Sequence, residues 1–204
     1  MSDNESRERL ILCAKKEFAE KGFAKASLRK IAADAGLTTG AVYFFFKDKN
    51  GLFGAVAKEA MDGFFALLSD HLRNEEKDGI PHDGFVRGYE NDFARDLVTF
   101  LYDHYDTVMI LFHKAAGSQY EDLVDRIADE LDRSYLIQAE EYASRFEGKK
   151  VNRYLLHFHT HMQIEAFTHL LEHVPDKETA YKEIRPVMDM LISSWMEYVL
   201  EDDN

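Results

Sequence analysis

Ser27-Leu-Arg-Lys-Ile-Ala-Ala-Asp-Ala-Gly-Leu-Thr-Thr-Gly-Ala-Val-Tyr-Phe-Phe-Phe-Lys-Asp-Lys49 reads as two short amphipathic helices joined at Gly36. A glycine there can take the positive φ that a bulky residue resists, which suits the tight turn of a helix-turn-helix. Leu37, Val42 and Phe46 can pack inward against Leu28, Ile31 and Ala32. Thr38, Thr39, Gly40, Tyr43 and Phe44 are then left on the outer, N-terminal side of the second helix. That is the part a recognition helix offers to the major groove.

The pattern stays helical on both sides of this pair. Upstream, Leu10/Ile11, Ala14 and Phe18 recur at three- and four-residue steps, with Gly22 as a stop. Downstream, a short helix of about Thr39–Phe45 leads into a long one, about Lys49–Lys77, that Gly79-Ile-Pro81 breaks. The long helix would reach roughly 40 Å at about 1.5 Å per residue. Asp83 to about Tyr105 is helical again, with Phe85, Tyr89, Phe93, Phe100 and Leu101 on its apolar side, and a further helix ends at Gly117. Ser118-Gln-Tyr-Glu121 has the spacing of a capping box for the next helix, which ends at Gly148. Two more, about Val151–Val174 and Asp176–Leu200, are separated by Pro175. No segment reads as a strand. The expectation is an all-α chain of about nine helices, with a helix-turn-helix domain over 1–48 and a second domain over 49–204.

Composition agrees and narrows the setting. Hydrophobic residues make up 46% of the 204, enough for a real core, while 3 Pro and 11 Gly speak against an all-β protein. The lone Cys13 excludes an intrachain disulfide and fits a reducing cytosol. With no apolar run of about 18 residues and no apolar core in Met1–Leu12, a cytoplasmic chain without membrane contact is expected. The net charge of −13 is unevenly spread. Residues 1–60 carry 11 Lys or Arg against 8 Asp or Glu, and the remainder carries 14 against 30. A basic head on an acidic body leaves room for a nucleic-acid partner at the head alone.

With these residues in place, Arg9–Leu52 resembles the TetR family of transcriptional repressors. The resemblance rests on Phe18-Ala-Glu-Lys-Gly-Phe23, Ile31-Ala32, Ala35-Gly36-Leu37, Gly40-Ala-Val-Tyr43, Phe46-Lys-Asp-Lys49 and Leu52, all at fixed spacing. It implies a dimer that binds double-stranded operator DNA at an inverted repeat and responds to a small-molecule effector. It also implies that Tyr43 and Lys49 hold phosphates, with Lys30 a further phosphate candidate. Thr38, Thr39 and Gly40, at the recognition helix N-terminus, would meet phosphate or base edges. Two positions depart from the family. Phe45 stands where a His or Tyr usually bonds a phosphate, and Gly51, in place of a polar residue, is expected to loosen the first turn of the fourth helix. Phe44, where bases are often contacted, would either touch a thymine methyl or remain an exposed hydrophobe.

By the same resemblance, the variable C-terminal part holds the effector and pairs two subunits through its last two helices. The sequence offers two apolar faces on each of them, so that one can pack at home and the other on a partner. Phe158, Met162, Leu191, Trp195 and Tyr198 are the expected dimer residues, and Phe93, Leu101, His104, Phe112, Tyr135 and His161 the expected effector pocket.

All nine histidines lie beyond residue 70, five of them between 157 and 173. By spacing, His157 and His161 make the one usable pair, four residues apart, for a metal or for hydrogen bonding within the pocket. His159, His169 and His173 scatter round the helix by its periodicity. No cofactor motif is present: there is no Gly-rich phosphate loop, no His-Glu-x-x-His run and no nucleophile elbow, so an enzyme is not expected. A helical interaction module that has lost DNA binding is the other class the sequence allows.

Overall fold

The computed structural model describes residues 2–78 and 92–203, and the chain is helical from its first turn. Ser2 Oγ accepts the Glu5 N–H at 3.2 Å and Glu5 Oε2 accepts the Ser2 N–H at 2.8 Å, a capping box that starts α1 (Asp3–Lys25). There follow α2 (Leu28–Asp34), α3 (Thr39–Phe46), α4 (Lys49–Asp78), α5 (Asp92–Asp103), α6 (Tyr105–His113), α7 (Leu123–Ala143), α8 (Arg153–His173) and α9 (Lys177–Tyr198). The all-α class is as expected, and so is the helix count among the described residues. The Gly79–Pro81 break, the helix start near Asp83, Phe85 and Tyr89 lie outside the described residues.

The chain packs as two units, residues 1–63 with 104–123 and residues 64–103 with 124–204. This division differs from the boundary read after residue 48, and aromatic packing is the reason. Phe53 of α4 meets the Phe18 ring edge-on at 4.8 Å and the Phe23 ring at 5.1 Å, so the start of α4 belongs to the first core. Leu10, Ala14 and Phe18 of α1 are fully buried in that core with Ile31, Val42 and Leu52. Truncating a buried ring such as Phe18 to Ala costs about 3–5 kcal/mol. Where α1 breaks at Gly22, the Phe23 N–H is released and donates to the Lys114 carbonyl at 2.7 Å, pinning the end of α6 to α1.

In the second unit α8 packs along α9, and α5 lies against both. Leu171, Ile184, Leu191 and Val98 are buried there, and Ala139, Leu156 and Val199 form a cluster sealed by Tyr142 and Trp195. Two short strands, absent from the sequence reading, close this unit. β1 (Lys149–Val151) pairs antiparallel with β2 (Leu200–Asp202), Lys149 opposite Asp202 and Val151 opposite Leu200. Three residues are too few to show an alternating pattern, and each strand is held by a partner fifty residues away. The Asn152 N–H donates to the Val199 carbonyl at 2.7 Å, and Lys149 pairs with Asp202 at 2.7 Å.

The capping box expected at Ser118 also takes a different form. Ser118 Oγ accepts the Tyr120 N–H and Glu121 accepts the Gly117 N–H, a compact turn rather than a helix cap, and α7 starts only at Leu123. That turn packs on α4 within the first unit. The Gln119 N–H donates to Asn50 Oδ1 at 2.9 Å, and its side-chain amide reaches the Asn50 carbonyl at 3.2 Å.

Candidate functional site

The turn between α2 and α3 is a Schellman motif. The Leu37 N–H donates to the Ala32 carbonyl at 2.8 Å and the Gly36 N–H to the Ala33 carbonyl at 2.9 Å, with Gly36 at φ +67°. This satisfies the last carbonyls of α2 and aims α3. Val42 and Phe46 are buried and Leu37 half-buried, as the sequence predicts. The opposite face is open: Thr38, Gly40, Tyr43 and Phe44 are exposed and Thr39 half-buried, with the Phe44 ring 75% accessible. The Thr38 hydroxyl makes no capping bond to α3. Phe45 is half-buried between the Phe44 and Phe46 rings, 5.0 and 6.1 Å away, so its phenyl packs where a polar ring would reach outward.

From α3 the chain turns into α4 through a corner with no slack. Lys47 sits at φ +67°, ψ −47°, and the Asp48 N–H donates to the Phe46 carbonyl at 2.8 Å, closing a strained γ-turn. Asp48 then caps α4, its Oδ1 accepting the Gly51 N–H at 2.8 Å. The expected loosening at Gly51 is therefore corrected. A Cβ on residue 51 would overlap the Phe46 carbonyl oxygen, so glycine is what lets α3 and α4 meet this closely. Sequence reading missed Asp48 as the cap, although an Asp just ahead of a helix is such a signal.

Two of the expected phosphate-binding cations are engaged inside the head. Glu17 of α1, only 3% exposed, lies 2.9 Å from Lys30 Nζ and accepts the Ser27 N–H at 3.2 Å. Lys30 also pairs with Asp34 at 2.9 Å, and hydrogen bonds to Glu17 and Asp34 raise its pKa. Lys30 thus braces α2 against α1, and its charge is already compensated there. Lys49 donates to the Ala24 carbonyl at 3.1 Å across the Phe23 ring, and burial lowers its pKa. A buried Glu at 17 has no sequence signal of its own, since the pattern reads it as one more helix-surface acid.

The six expected pocket residues are divided between the two units. His104 and Phe112 belong to the first unit and Phe93, Leu101, Tyr135 and His161 to the second. Phe93 stacks on His71, ring centroids 3.6 Å apart, and burial lowers the His71 pKa to about 4. Leu101 is core. The Tyr135 hydroxyl donates to Gln163 Oε1 at 3.1 Å, and His161 packs beside His157 with ring centroids 4.6 Å apart.

Several exposed apolar side chains of the second unit lie along α8 and α9. Leu155, Phe158, Met162, Trp195 and Tyr198 line a groove of about 210 Å³ with His159 and Ser194. A groove this size falls below the roughly 300–1,000 Å³ of drug-sized ligand sites. Phe158 is 50% exposed, and Met162 and Tyr198 are exposed too. Leu191 is the exception among the expected dimer residues. It is 1% exposed and faces its own core, because the α9 face carrying Met188 turns it inward, and its carbonyl bonds His159 Nε2 at 2.7 Å.

The histidines pair differently from the sequence reading. His157 and His161 do come together, but Asp132 of α7 holds His157 Nδ1 and also accepts the Thr160 hydroxyl. His159 is buried between Leu191 and Gln163, which lowers its pKa. His169 and His173, read as scattered, form a second pair with stacked rings 4.0 Å apart. They are four residues apart as well, and periodicity measured from His157 hid the pair.

Comparisons with known proteins bear on this head first. Residues 10–56 match the sequence model of "Bacterial regulatory proteins, tetR family". The chain is 33% identical over 75 residues to the uncharacterized HTH-type transcriptional regulator YerO of Bacillus subtilis. It is 41% identical over 56 residues to the HTH-type transcriptional repressor BepR of Brucella suis. These stretches cover 37% and 28% of this chain, and the chain spans 25% and 27% of the length of those relatives. Among solved structures, a transcriptional regulator from Aquifex aeolicus superposes with a TM-score of 0.62 at 16% identity, covering 91% of this chain and 99% of that one. NalD of Pseudomonas aeruginosa, described as the secondary repressor of the MexAB-OprM multidrug efflux pump, does so at 0.54 and 20% identity over 98% of both chains. At such identities the superpositions speak for the fold.

Proposed function

We propose, from the match of residues 10–56 to the tetR family of bacterial regulatory proteins, that the chain is a transcriptional repressor of that family: it binds an inverted-repeat operator as a homodimer and leaves it when a small-molecule effector binds. The observation that carries the reading is the two-sided build of α3. One side is locked into the head by Val42 and Phe46, while Thr38, Tyr43 and Phe44 stand exposed on the other. An exposed phenyl on an eight-residue helix gains nothing for the fold, whereas in a major groove it can cover a thymine methyl. Tyr43 would hold a phosphate, and the Thr38 and Thr39 hydroxyls would meet phosphate or base edges beside it. No helix among the described residues is long and apolar enough to cross a membrane.

The groove along α8 and α9 supports the dimer. An apolar surface around Phe158, Met162 and Tyr198 is what two copies would cover by two-fold pairing, bringing two α3 helices to half-sites about one DNA turn apart. Release by an effector is then a population shift: a ligand that prefers wrongly spaced heads lowers operator affinity by its differential affinity for that form.

Selection of the full chain against a random duplex DNA library tests the reading. An enriched inverted repeat, lost in Tyr43→Ala/Phe44→Ala, is the expected result. Failure to enrich any sequence at low salt would remove the DNA-binding reading and leave an interaction module.

A further inference from the structure

Five of the nine histidines lie on α8, and two of them reach its last turn. His169, Glu172 and His173 stand at i, i+3 and i+4, which puts all three on one face of the helix. One ligand atom from each, an imidazole nitrogen or a carboxylate oxygen, lies within 4.8 Å of the others, and all three residues are exposed. Among the described residues no other three His, Cys, Asp or Glu gather in this way.

Three further observations favour a cation there. His173 Nδ1 donates to the His169 carbonyl at 2.9 Å, which fixes the tautomer and leaves the lone pair on Nε2. The Glu172 carboxylate lies 4.0 Å from His173 Nδ1, so a negative charge stands beside this ring. The turn is also the C-terminal end of a 21-residue helix, where the macrodipole is negative and a cation is stabilised. A tetrahedral ion about 2.0–2.1 Å from nitrogen holds its ligand atoms roughly 3.4 Å apart. Closing from 4.8 Å takes at most roughly 1.4 Å of movement, shared between two side chains. The terminal torsions of exposed rings and carboxylates are broad enough to supply it.

We propose that the last turn of α8 binds one divalent ion of the late first-row transition series, the zinc, nickel and copper class. His169, His173 and Glu172 are the protein ligands, and water completes the shell. Two imidazoles disfavour magnesium and calcium, which take oxygen donors. The ion bridges residues four apart just before the Val174-Pro175 turn, and so fastens the end of α8 ahead of α9. His157 and His161 are less suited, because Asp132 is shared between His157 and Thr160. The inference is independent of the repressor reading.

Calorimetric titration of zinc chloride into metal-stripped full-length protein tests it, with magnesium chloride as control. One zinc per chain is expected in the wild type and in His157→Ala/His161→Ala, and none in His169→Ala/His173→Ala. Glu172→Gln should weaken binding at least about tenfold, the scale on which even an outer partner of a ligand counts. X-ray absorption at the zinc edge should show two imidazoles. No zinc bound by the wild type overturns the proposal, as does zinc that survives in His169→Ala/His173→Ala. Circular dichroism checks that this double variant keeps its helices; should it lose them, the Glu172→Gln affinity alone decides.

Discussion

Lys49 directs its ammonium to the carbonyl of Ala24, 3.1 Å away, at the end of α1. The resemblance to the family implies a phosphate contact for the same side chain, so its bond within the head and its proposed DNA role draw on one ammonium. Lys49→Ala should cost the head about 1–2 kcal/mol, as expected for a partly buried charged donor. It should also lower the slope of log affinity against log salt by about one unit. Thermal unfolding and a salt series of operator binding separate the two effects. A drop in stability with an unchanged slope makes Lys49 a strut of the head alone.

The corner between α3 and α4 gives two substitutions of opposite sign. Lys47→Gly relieves a positive φ and should stabilise the head by about 1 kcal/mol. Gly51→Ala, which in an ordinary helix would gain about 1 kcal/mol, should instead cost about 1–3 kcal/mol through overlap with the Phe46 carbonyl. Urea unfolding of both variants measures this. A stabilised Gly51→Ala would show that the corner has room after all.

His71 predicts acid sensitivity of the second unit. Its folded pKa, about 4, lies below the ordinary 6.5 because burial against Phe93 disfavours the charged ring. The unfolded chain therefore takes up a proton near pH 6.5 that the folded chain refuses until about pH 4. Stability is complete above pH 6.5 and falls by about 3 kcal/mol on the way down to pH 4. His159, also lowered by burial, acts in the same direction. His71→Phe keeps an aromatic ring against Phe93 and should flatten the profile of unfolding free energy between those pH values. An unaltered profile would assign the loss to other groups.

For the dimer, Phe158→Glu/Met162→Glu places two charges on the α8–α9 groove and should yield monomers that keep their helix content in sedimentation and circular dichroism. Leu191→Ala is the contrasting change. It hollows the core of the unit and should cost about 2–5 kcal/mol without first altering the assembly. Dimers that survive the charged variant would place the interface elsewhere.

What could be read from the sequence follows the range of the interactions. Gly36, Val42 and Phe46 declare the helix-turn-helix because the hydrogen bonds of its turn, from Gly36 to Ala33 and from Leu37 to Ala32, lie within five residues. The same locality exposes Tyr43 and Phe44 as surface positions. Glu17 looks like an ordinary surface acid until Ser27 and Lys30 close over it, and Gly51 looks like a weakness until Phe46 folds back on it. The β1–β2 pairing and the His71–Phe93 stack join positions twenty to fifty residues apart, which no periodicity reports. Leu191 reads as an interface residue for a related reason: α9 is apolar on two sides, and only α8 decides which one is inside.

The contact between Phe23 and Lys114 has a consequence for synthesis. Residues 1–63 emerge from the ribosome before residues 104–123, and until then they lack the acceptor for the Phe23 N–H and the Tyr120 ring that packs 5.9 Å from Phe53. Translation at about 5–20 residues per second leaves the nascent head waiting roughly 3–12 seconds for the next sixty residues. The helix-turn-helix unit is thus made well before it can be finished, and an expression fragment cut after α4 would leave it permanently incomplete.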